Sequence, residues 1–356
     1  MSSVLIKNGK VWTGRKFIYA DVFAKDNCIR KIKENLTYEA DFVYDAIGKI
    51  VSPGFVDVHV HMKGVSGSSF GTSAEGSCFP FGVTAVADAS GVNGDKEFLD
   101  TCDLKNVVFV CSQFINGKAN VDNAKFMLEK YQEKVVGIKI YYDTEVAHVS
   151  SLKELEAICD FAHSNKLKVM VHCSNSPSAM SEFLPILKKG DILTHSFHGG
   201  LHCASDDDFE SIKEAKHRGV IIDLGMAGFV HTDFKVLKDA ISNGVSPDTI
   251  STDLTKYNVF KRGGIYGMTM CMSILKDLGM DEEEIFTAVT LRPATALGKE
   301  NEWGCLEIGR PADITVVDYA DNGYDMTDKA GNHIYNDKGY KCYLTVCNNE
   351  IVYRNK

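Results

Sequence analysis

Hydrophobic runs alternate with amphipathic segments through the middle of the chain. Eight apolar runs of strand length are separated by segments in which apolar residues recur at helical spacing. Gly190, Gly219 and Gly244 follow the ends of such segments, as C-terminal caps do. The predicted strands are Gly54–Met62, Val83–Ala89, Val107–Cys111, Val135–Tyr142, Lys168–Cys173, Asp191–Phe197, Val220–Met226 and Thr249–Leu254.

Repetition of the strand–helix unit predicts the fold of this region. Eight units within residues 53–298 are typical of an α/β (β/α)₈ TIM barrel. An open doubly wound sheet is the alternative, but no G-x-G-x-x-G motif follows the first strand. Polar residues at helix starts support the predicted helices Ser151–Asn165, Ser176–Lys189, Asp206–Arg218 and Asp233–Asn243.

Both ends of the chain show short apolar strands separated by turn residues. Asn8 and Gly9 divide two such strands near the start, and Asn348 and Asn349 divide two near the end. Neither end is long enough to bury much of a core alone. We therefore predict that residues 1–52 and 299–356 combine into one small β-sandwich domain beside the barrel of residues 53–298.

The composition and net charge of the chain argue against several classes of function. The chain has 356 residues, 44% of them hydrophobic and 24% charged, as in an ordinary globular protein. Its net charge of −9 argues against a nucleic-acid partner, and no apolar run approaches the roughly 18 residues of a membrane helix. The 11 cysteines lack paired spacing, which predicts reduced thiols in the cytoplasm. A small molecule is the expected partner, and a homo-oligomer is left open.

The first predicted barrel strand carries the strongest chemical signal. Asp57, His59 and His61 alternate with valines, so they are predicted to share the face that points into the barrel. Two neutral imidazoles at this distance suit a divalent metal such as Zn²⁺. An accidental His-x-His pair on a half-buried strand is the alternative for this motif alone.

Four more polar residues end strand-like runs: Lys139, His172, His195 and Asp253. Their intervals along the chain fit whole numbers of strand–helix units. Together with the first strand, strands 4, 5, 6 and 8 would therefore each deliver a polar cluster to the carboxyl-terminal mouth, where barrel enzymes place their chemistry.

Lys139 is unexpected among metal ligands because a charged amine would repel a metal and would be costly to bury. Carbamylation by CO₂ would turn it into an anionic oxygen donor that bridges two ions. A salt-bridged or snorkelling lysine is the alternative, as a hydrogen-bonded core histidine is for His172 or His195. Asp253 would also serve as general base and acid. The predicted ligands form two sets, with His59, His61 and Asp253 on one ion, His172 and His195 on the other, and Lys139 between them.

Six segments recur together in a family of known proteins: Ser52–His61, Gly137–Lys139, Val171–His172, Leu193–His195, Ser251–Leu254 and Gly309–Ile314. With them the chain resembles the amidohydrolase superfamily, and within it the deacetylase branch often described as dihydroorotase-like. This resemblance covers essentially the whole chain. It implies a barrel, two divalent metal ions with a carboxylated lysine, and hydrolysis of an amide or ester bond.

Three positions depart from the family pattern and leave the substrate open. Lys63 stands where a dihydroorotase usually has arginine, Met226 where a histidine is frequent, and Arg292 where asparagine is common. We predict a metal-dependent hydrolase of an amide or ester bond in a small, carboxylate-bearing substrate. A dihydroorotase-like cyclic amide hydrolase is the alternative, followed by a base deaminase and a catalytically silent barrel.

Several residues are candidates for contacting that substrate. Lysine or arginine would bind a carboxylate, and Lys63 lies at the exit of the first strand, in a Gly- and Ser-rich segment (63–82) that is either a lid or a solvated connection. The predicted substrate-binding residues are Lys63, His198, Arg262 and Arg292.

Overall fold

The computed structural model describes residues 3–90, 96–111, 114–115, 118–119, 121–145, 151–227, 230–261 and 266–355. Its strands are β1 (Ser3–Trp12), β2 (Phe17–Lys25), β3 (Cys28–Lys33), β4 (Phe42–Asp45), β5 (Ile50–Pro53), β6 (Phe55–Val60), β7 (Val83–Asp88), β8 (Lys105–Cys111), β9 (Phe114–Ile115), β10 (Lys118–Ala119), β11 (Val135–Tyr141), β12 (Lys168–His172), β13 (Ile192–Thr194), β14 (Ile221–Asp223), β15 (Ile314–Ala320), β16 (Tyr324–Thr327), β17 (His333–Asn336), β18 (Gly339–Cys347) and β19 (Glu350–Arg354).

Helices lie between the central strands and after them. The α-helices are α1 (Lys63–Ser66), α2 (Ala74–Cys78), α3 (Lys96–Thr101), α4 (Val121–Tyr131), α5 (Leu152–Ser164), α6 (Met180–Phe183), α7 (Glu210–Arg218), α8 (Phe234–Ser242), α9 (Lys256–Lys261), α10 (Met268–Asp277), α11 (Glu282–Ala288) and α12 (Leu291–Ala296). Short 3₁₀ helices span Phe79–Phe81, Gln132–Lys134, Leu184–Ile186 and Ala204–Asp207. Across the described ranges, every helix falls short of the length and apolar character that a membrane crossing requires.

The central strands form a curled parallel sheet in the order β6-β7-β8-β11-β12-β13-β14. Most of their residues are buried, as expected for parallel strands covered on both faces. Residues 249–254 lie between the two outer strands: Thr249 bridges Asp223 of β14, and Leu254 bridges Val60 of β6. This eighth segment pairs through isolated bridges instead of a continuous ladder. The sheet fits the predicted TIM-like α/β barrel.

Strands from both ends of the chain form a second sheet. Its order is β19-β18-β15-β5-β1-β2-β3, with β4 beside β1. Val4 and Ile6 from the start of the chain share one buried cluster with Ile314 and Leu344 from its end. The two ends therefore combine in one sheet. That this sheet constitutes a separate sandwich domain stays a prediction.

Local capping explains which predicted helices form. The side chain of Ser151 accepts a hydrogen bond from the Glu154 backbone and begins α5, as predicted. Asp233 caps α8 in the same way. The prediction of one helix over 176–189 is wrong, because α6 is a single turn that passes into a 3₁₀ helix containing Pro185. The helix predicted over 206–218 is interrupted at Asp208, where the backbone is left-handed.

Candidate metal centre and active site

Histidines from distant parts of the chain converge at the carboxyl-terminal end of the barrel strands. The ring centroids of His59 and His195 lie 5.1 Å apart, and those of His172 and His195 lie 4.4 Å apart. The six residues predicted as ligands are all buried, and Asp253, with 6% of its surface exposed, is the most accessible of them. The barrel therefore collects them in one place.

The first group of these side chains is organised around Asp253. Its Oδ1 atom lies 2.9 Å from His61 Nε2 and 3.3 Å from His59 Nε2. Lys139 Nζ lies 3.0 Å from His59 Nε2. His59, His61 and Asp253 each offer one ligand atom, and these atoms lie within 4.8 Å of one another. One divalent ion could be held by this group.

The second group contains a histidine that the sequence analysis missed. His231 lies between β14 and α8, and its ring centroid is 4.3 Å from that of His195 and 4.9 Å from that of His172. The three histidines offer nitrogen atoms within 4.8 Å of one another. Their residue types and spacing could therefore hold a second ion.

Hydrogen bonds fix several rings so that the Nε2 atoms face the shared space. His59 Nδ1 lies 3.2 Å from the Thr194 hydroxyl, and His195 Nδ1 lies 2.7 Å from the Gly225 carbonyl oxygen. His61 Nδ1 lies 3.0 Å from the Ser90 hydroxyl. His195 Nε2 is buried without a hydrogen-bond partner among the described residues. A nitrogen oriented through the other side of its ring is the arrangement that metal-ligating histidines use, so the donor set fits a divalent metal.

The backbone is strained at two of these positions. His195 has φ 71° and Asp253 has φ 50°, values that non-glycine residues rarely adopt. A side chain at Gly225 would collide with the His195 ring, so glycine is required for the carbonyl to approach that ring. The fold holds these side chains in place at a cost in backbone energy, which is typical of functional sites.

A buried carboxylate beneath the histidines supports them. Asp223 accepts hydrogen bonds of 2.7 Å from each of the hydroxyls of Thr194, Thr249 and Ser251. It also lies 3.7 Å from His59 Nδ1. Asp223 thus ties β13 and the eighth segment together below the first group.

Burial sets the charge states of the cluster. It lowers the pKa of His59 to about 4, of His231 to about 3 and of Lys139 to about 8. For Asp253, burial would raise the pKa, but His59 and His61 beside it hold the pKa below its ordinary value. At neutral pH the imidazoles of His59 and His231 are therefore neutral and Asp253 is ionised, which is the protonation that metal binding needs.

The prediction that Asp57 shares a face with the two histidines is wrong. The pairing of β6 with β7 shifts register between Asp57 and Val60. Asp57 instead accepts a hydrogen bond of 2.6 Å from the Thr252 hydroxyl, and its charge acts on the thiols of Cys78 and Cys271 in the surrounding helices. The irregularity in the strand breaks the simple alternation on which the prediction depended.

The predicted substrate-binding residues lie in different parts of the structure. His198 is fully buried near His172. Lys63 is exposed and lines a cavity with Lys256, apart from the pocket that contains Asp253. Arg262 lies outside the described residues.

The prediction for Arg292 is corrected by its position. Arg292 lies in α12, next to Val289, whose carbonyl oxygen accepts a hydrogen bond of 2.8 Å from Val56 near the start of β6. The histidines lie at the other end of the same strand and beyond it. Arg292 therefore lies toward the amino-terminal end of the barrel, away from the mouth where the histidines converge.

An apolar pocket of about 180 Å³ opens beside the two groups. Asp253 and His231 lie on its wall, together with Phe70 and Tyr257. Phe70 comes from the segment between β6 and β7, and its ring lies 4.7 Å from that of His61. This segment forms two short α-helices and a 3₁₀ helix, and it covers one side of the site.

Comparison with known proteins agrees with this geometry. The Amidohydrolase family profile matches residues 50–352. A deacetylase of Enterococcus faecalis is 28% identical over 349 residues, which cover 92% of this chain and 93% of that protein. A deacetylase of Brucella anthropi is 29% identical over 334 residues, 86% of this chain and 81% of that protein. A crystal structure of a dihydroorotase superposes with a TM-score of 0.86 at 24% identity, covering 100% of this chain and 98% of the other.

The chain belongs to the amidohydrolase family, as its motifs predicted, and it is a hydrolase. This family generally uses a divalent metal, and the two side-chain groups are consistent with that use. The dihydroorotase structure supports the barrel fold.

Proposed function

We propose that this protein is a binuclear metal-dependent deacylase that cleaves an amide or ester bond in a small, carboxylate-bearing substrate. The main observation is the meeting of two groups of metal-binding side chains across the buried Lys139. The two relatives named deacetylases, which match most of the chain, support removal of an acyl group such as acetyl.

Each of the two groups supplies the ligands of one metal ion in this proposal. In this proposal His59, His61 and Asp253 hold one ion, as the sequence analysis expected. His172 and His195 hold the other, and His231 adds a third nitrogen to that group. Zn²⁺ suits sets rich in imidazole nitrogen with one carboxylate.

Lys139 would join the groups as a carbamate. Its amine is buried, and its pKa is lowered to about 8, which leaves a neutral fraction that can react with CO₂. A bond then forms between Nζ and the carbon of CO₂, and a proton leaves the amine. The carbamate would replace a cation beside His59 with an anion, which favours binding of metal ions by both groups.

When bound, two divalent ions would polarise the scissile carbonyl and activate a water molecule. Asp253 would take a proton from the water and return it to the leaving nitrogen or oxygen, since it is ionised and lies on the pocket wall. Phe70 and Tyr257 would limit access of bulk water from the pocket side.

The same proposal covers the organisation of the chain. Residues 53–298 would form the catalytic barrel, and residues 1–52 with 299–356 would form the composite domain that holds both ends. The free cysteines support the expected cytoplasmic location.

The test combines metal analysis with a substrate panel of acetylated hydroxy acids, N-acyl amino acids and cyclic amides. We expect two divalent ions per chain and release of a free acid from an acylated member of the panel. Hydrolysis confined to cyclic amides would favour the dihydroorotase-like alternative. A chain that binds no metal would contradict the proposal.

A further inference from the structure

A hairpin from the carboxyl-terminal region reaches the mouth of the barrel. Strands β16 and β17 pair only with each other and lie in the chain between β15 and β18 of the terminal sheet. The hairpin tip, residues 328–332, begins with Asp328, whose carboxylate accepts a hydrogen bond of 2.6 Å from the backbone of Phe234. Asn332 donates a hydrogen bond of 3.1 Å to Asp233. The tip is therefore fastened to the start of α8, close to His231.

The tip also has a fixed internal shape. Asp328 is buried and accepts hydrogen bonds from the backbone of Ala330 (2.9 Å) and of Asn332 (2.8 Å). Such turns fix the backbone of the residue between their ends. That residue is Lys329.

Lys329 brings a positive charge to the histidines. Lys329 is exposed, and its Nζ atom lies 3.4 Å from the place that a Cβ of Gly200 would occupy. His198 Nδ1 lies 3.1 Å from the same place, and Asn175 Oδ1 is also beside it. Its charge also acts on His198 and His231. No carboxylate forms an ion pair with Lys329 among the described residues, so this cation is open to an anion from outside the chain.

His198 offers a second donor through the other nitrogen of its ring, Nε2. The backbone of Gly200 donates a hydrogen bond of 3.0 Å to His198 Nδ1, which puts the ring proton on Nε2 when the ring is neutral. Burial lowers the pKa of His198 to about 3, with Lys329 acting in the same direction, so the ring is neutral. His198 Nε2 is buried and has no partner among the described residues. A buried donor without a partner is costly unless a ligand accepts its hydrogen bond.

We propose that Lys329 and His198 bind the carboxylate of the substrate. This inference rests on the proposed function and deepens it, because it names the cation that the carboxylate-bearing substrate needs. Lys63, the candidate from the sequence analysis, lines another cavity, whereas Lys329 lies on the His198 and His231 side of the two metal groups.

The apolar pocket beside the two groups suggests which chemical group accompanies the carboxylate. Phe70, Val230 and Tyr257 line the apolar pocket and remain 38%, 45% and 54% exposed. A substrate that extends from this wall to Lys329 would combine an apolar group with an anion. N-acylated amino acids with an apolar side chain have this chemistry.

The experiment compares two probes that differ only in charge, racemic N-acetylphenylalanine and its neutral amide. Binding of each probe to the zinc-loaded protein is measured by saturation-transfer NMR. We expect the protein to bind the acid more tightly than the amide. The Lys329→Met change should weaken binding of the acid about tenfold and change binding of the amide less than about twofold. Lys329→Arg should retain most of the affinity for the acid.

Two further variants separate the site from general effects. Lys338→Met removes an exposed lysine at the base of the same hairpin and should change neither affinity. His198→Leu should weaken binding of the acid selectively, since it removes only the donor. Equal binding of the two probes, no binding of either, or an equal loss for both probes in Lys329→Met would overturn the proposal.

The same spectra test the proposed function independently, because acetate released from the probe has its own signal. Acetate release without a preference for the acid would support hydrolysis and overturn the role of Lys329. A preference for the acid that Lys329→Met abolishes, without acetate release, would support the anion site and count against acyl hydrolysis.

Discussion

The two groups of side chains at the barrel mouth have the same number of members but different electrostatics. The first group has a carboxylate, Asp253, between its two imidazoles. The second group consists of imidazoles alone, and its nearest carboxylate is Asp143, 3.2 Å from His172 Nε2. The carboxylate of the first group would stabilise a dication directly, whereas the second group itself offers only nitrogen atoms.

The groups also differ in how the chain holds them. His59 lies on β6 and His61 directly follows it, so their positions follow from the strand. His231 lies in a connection, and its Nδ1 depends on the Ser174 hydroxyl, 2.8 Å away. We therefore expect the first group to bind its ion more tightly than the second. The second group should depend more on the carbamate of Lys139.

The largest effect should come from removing the charge at the centre of the first group. Asp253→Asn removes both the anionic ligand and the general base, so kcat/KM should fall on the order of 10³-fold or more. Steady-state kinetics and metal analysis of the same preparation measure this. Asp208→Asn is the matched control, because Asp208 is exposed and asparagine also tolerates its left-handed backbone. A variant with near-normal turnover would remove Asp253 from the chemistry.

The next largest effect is expected from removing Lys139, the proposed bridge between the two metal-binding groups. Lys139→Ala should release metal from the second group first, because that group has no carboxylate of its own. Activity should fall on the order of 10²-fold and partly return with propionate, which supplies a carboxylate in the same space. Lys168→Ala, at the amino-terminal end of β12, should keep its metal. Full metal content in Lys139→Ala would show that the lysine is structural.

Acid should destabilise the metal-free protein. The pKa of His59 is lowered to about 4 and that of His231 to about 3, whereas unfolded histidines titrate near their ordinary value of 6.5. Between these values the unfolded state binds more protons, so the free energy of unfolding falls as the pH falls below about 6.5. Each such histidine contributes up to about 1.4 kcal/mol per pH unit. Burial raises the pKa of Asp57 to about 7, which opposes this trend over the same pH range. Urea unfolding at pH 7.5 and 5.5 measures the sum of these contributions, and a higher free energy of unfolding at pH 5.5 would contradict the buried neutral state of the histidines.

The smallest of these effects is expected for His231, which was identified from the structure and not from the sequence. His231→Ala should weaken binding of one ion by roughly tenfold and leave the ion of the first group in place. Metal titration with a chelator competitor resolves the two steps. His217→Ala serves as the control because His217 is exposed on α7. Loss of both ions would show that the groups are not separable.

Sequence analysis located the residues that lie on or directly after barrel strands. His59, His61 and Lys139 could be placed because apolar runs define the strands, and parallel strands bring their carboxyl ends together. Asp57 could not, since a local register shift reverses its side-chain direction without any signal in residue type. His231 and Lys329 follow turns whose geometry depends on contacts with distant segments.

In the eighth strand, the hydrophobic pattern predicts the position of the segment but not its backbone conformation. Its residues are apolar enough to be recognised, and the prediction of a segment between the first and seventh strands is correct. The segment pairs with its neighbours through isolated bridges, and the backbone at Asp253 is left-handed. That conformation turns the carboxylate toward His59 and His61, and no pattern of hydrophobic residues encodes it.

The central claim is that two divalent ions lie in the two groups and share a carbamate on Lys139. Anomalous diffraction at the zinc edge from crystals of the zinc-loaded protein tests it most directly. We predict two peaks, one beside His59, His61 and Asp253 and one beside His172 and His195, with electron density for a carboxylate on Lys139 Nζ between them. A single peak, or two peaks with an unmodified Lys139, would contradict it.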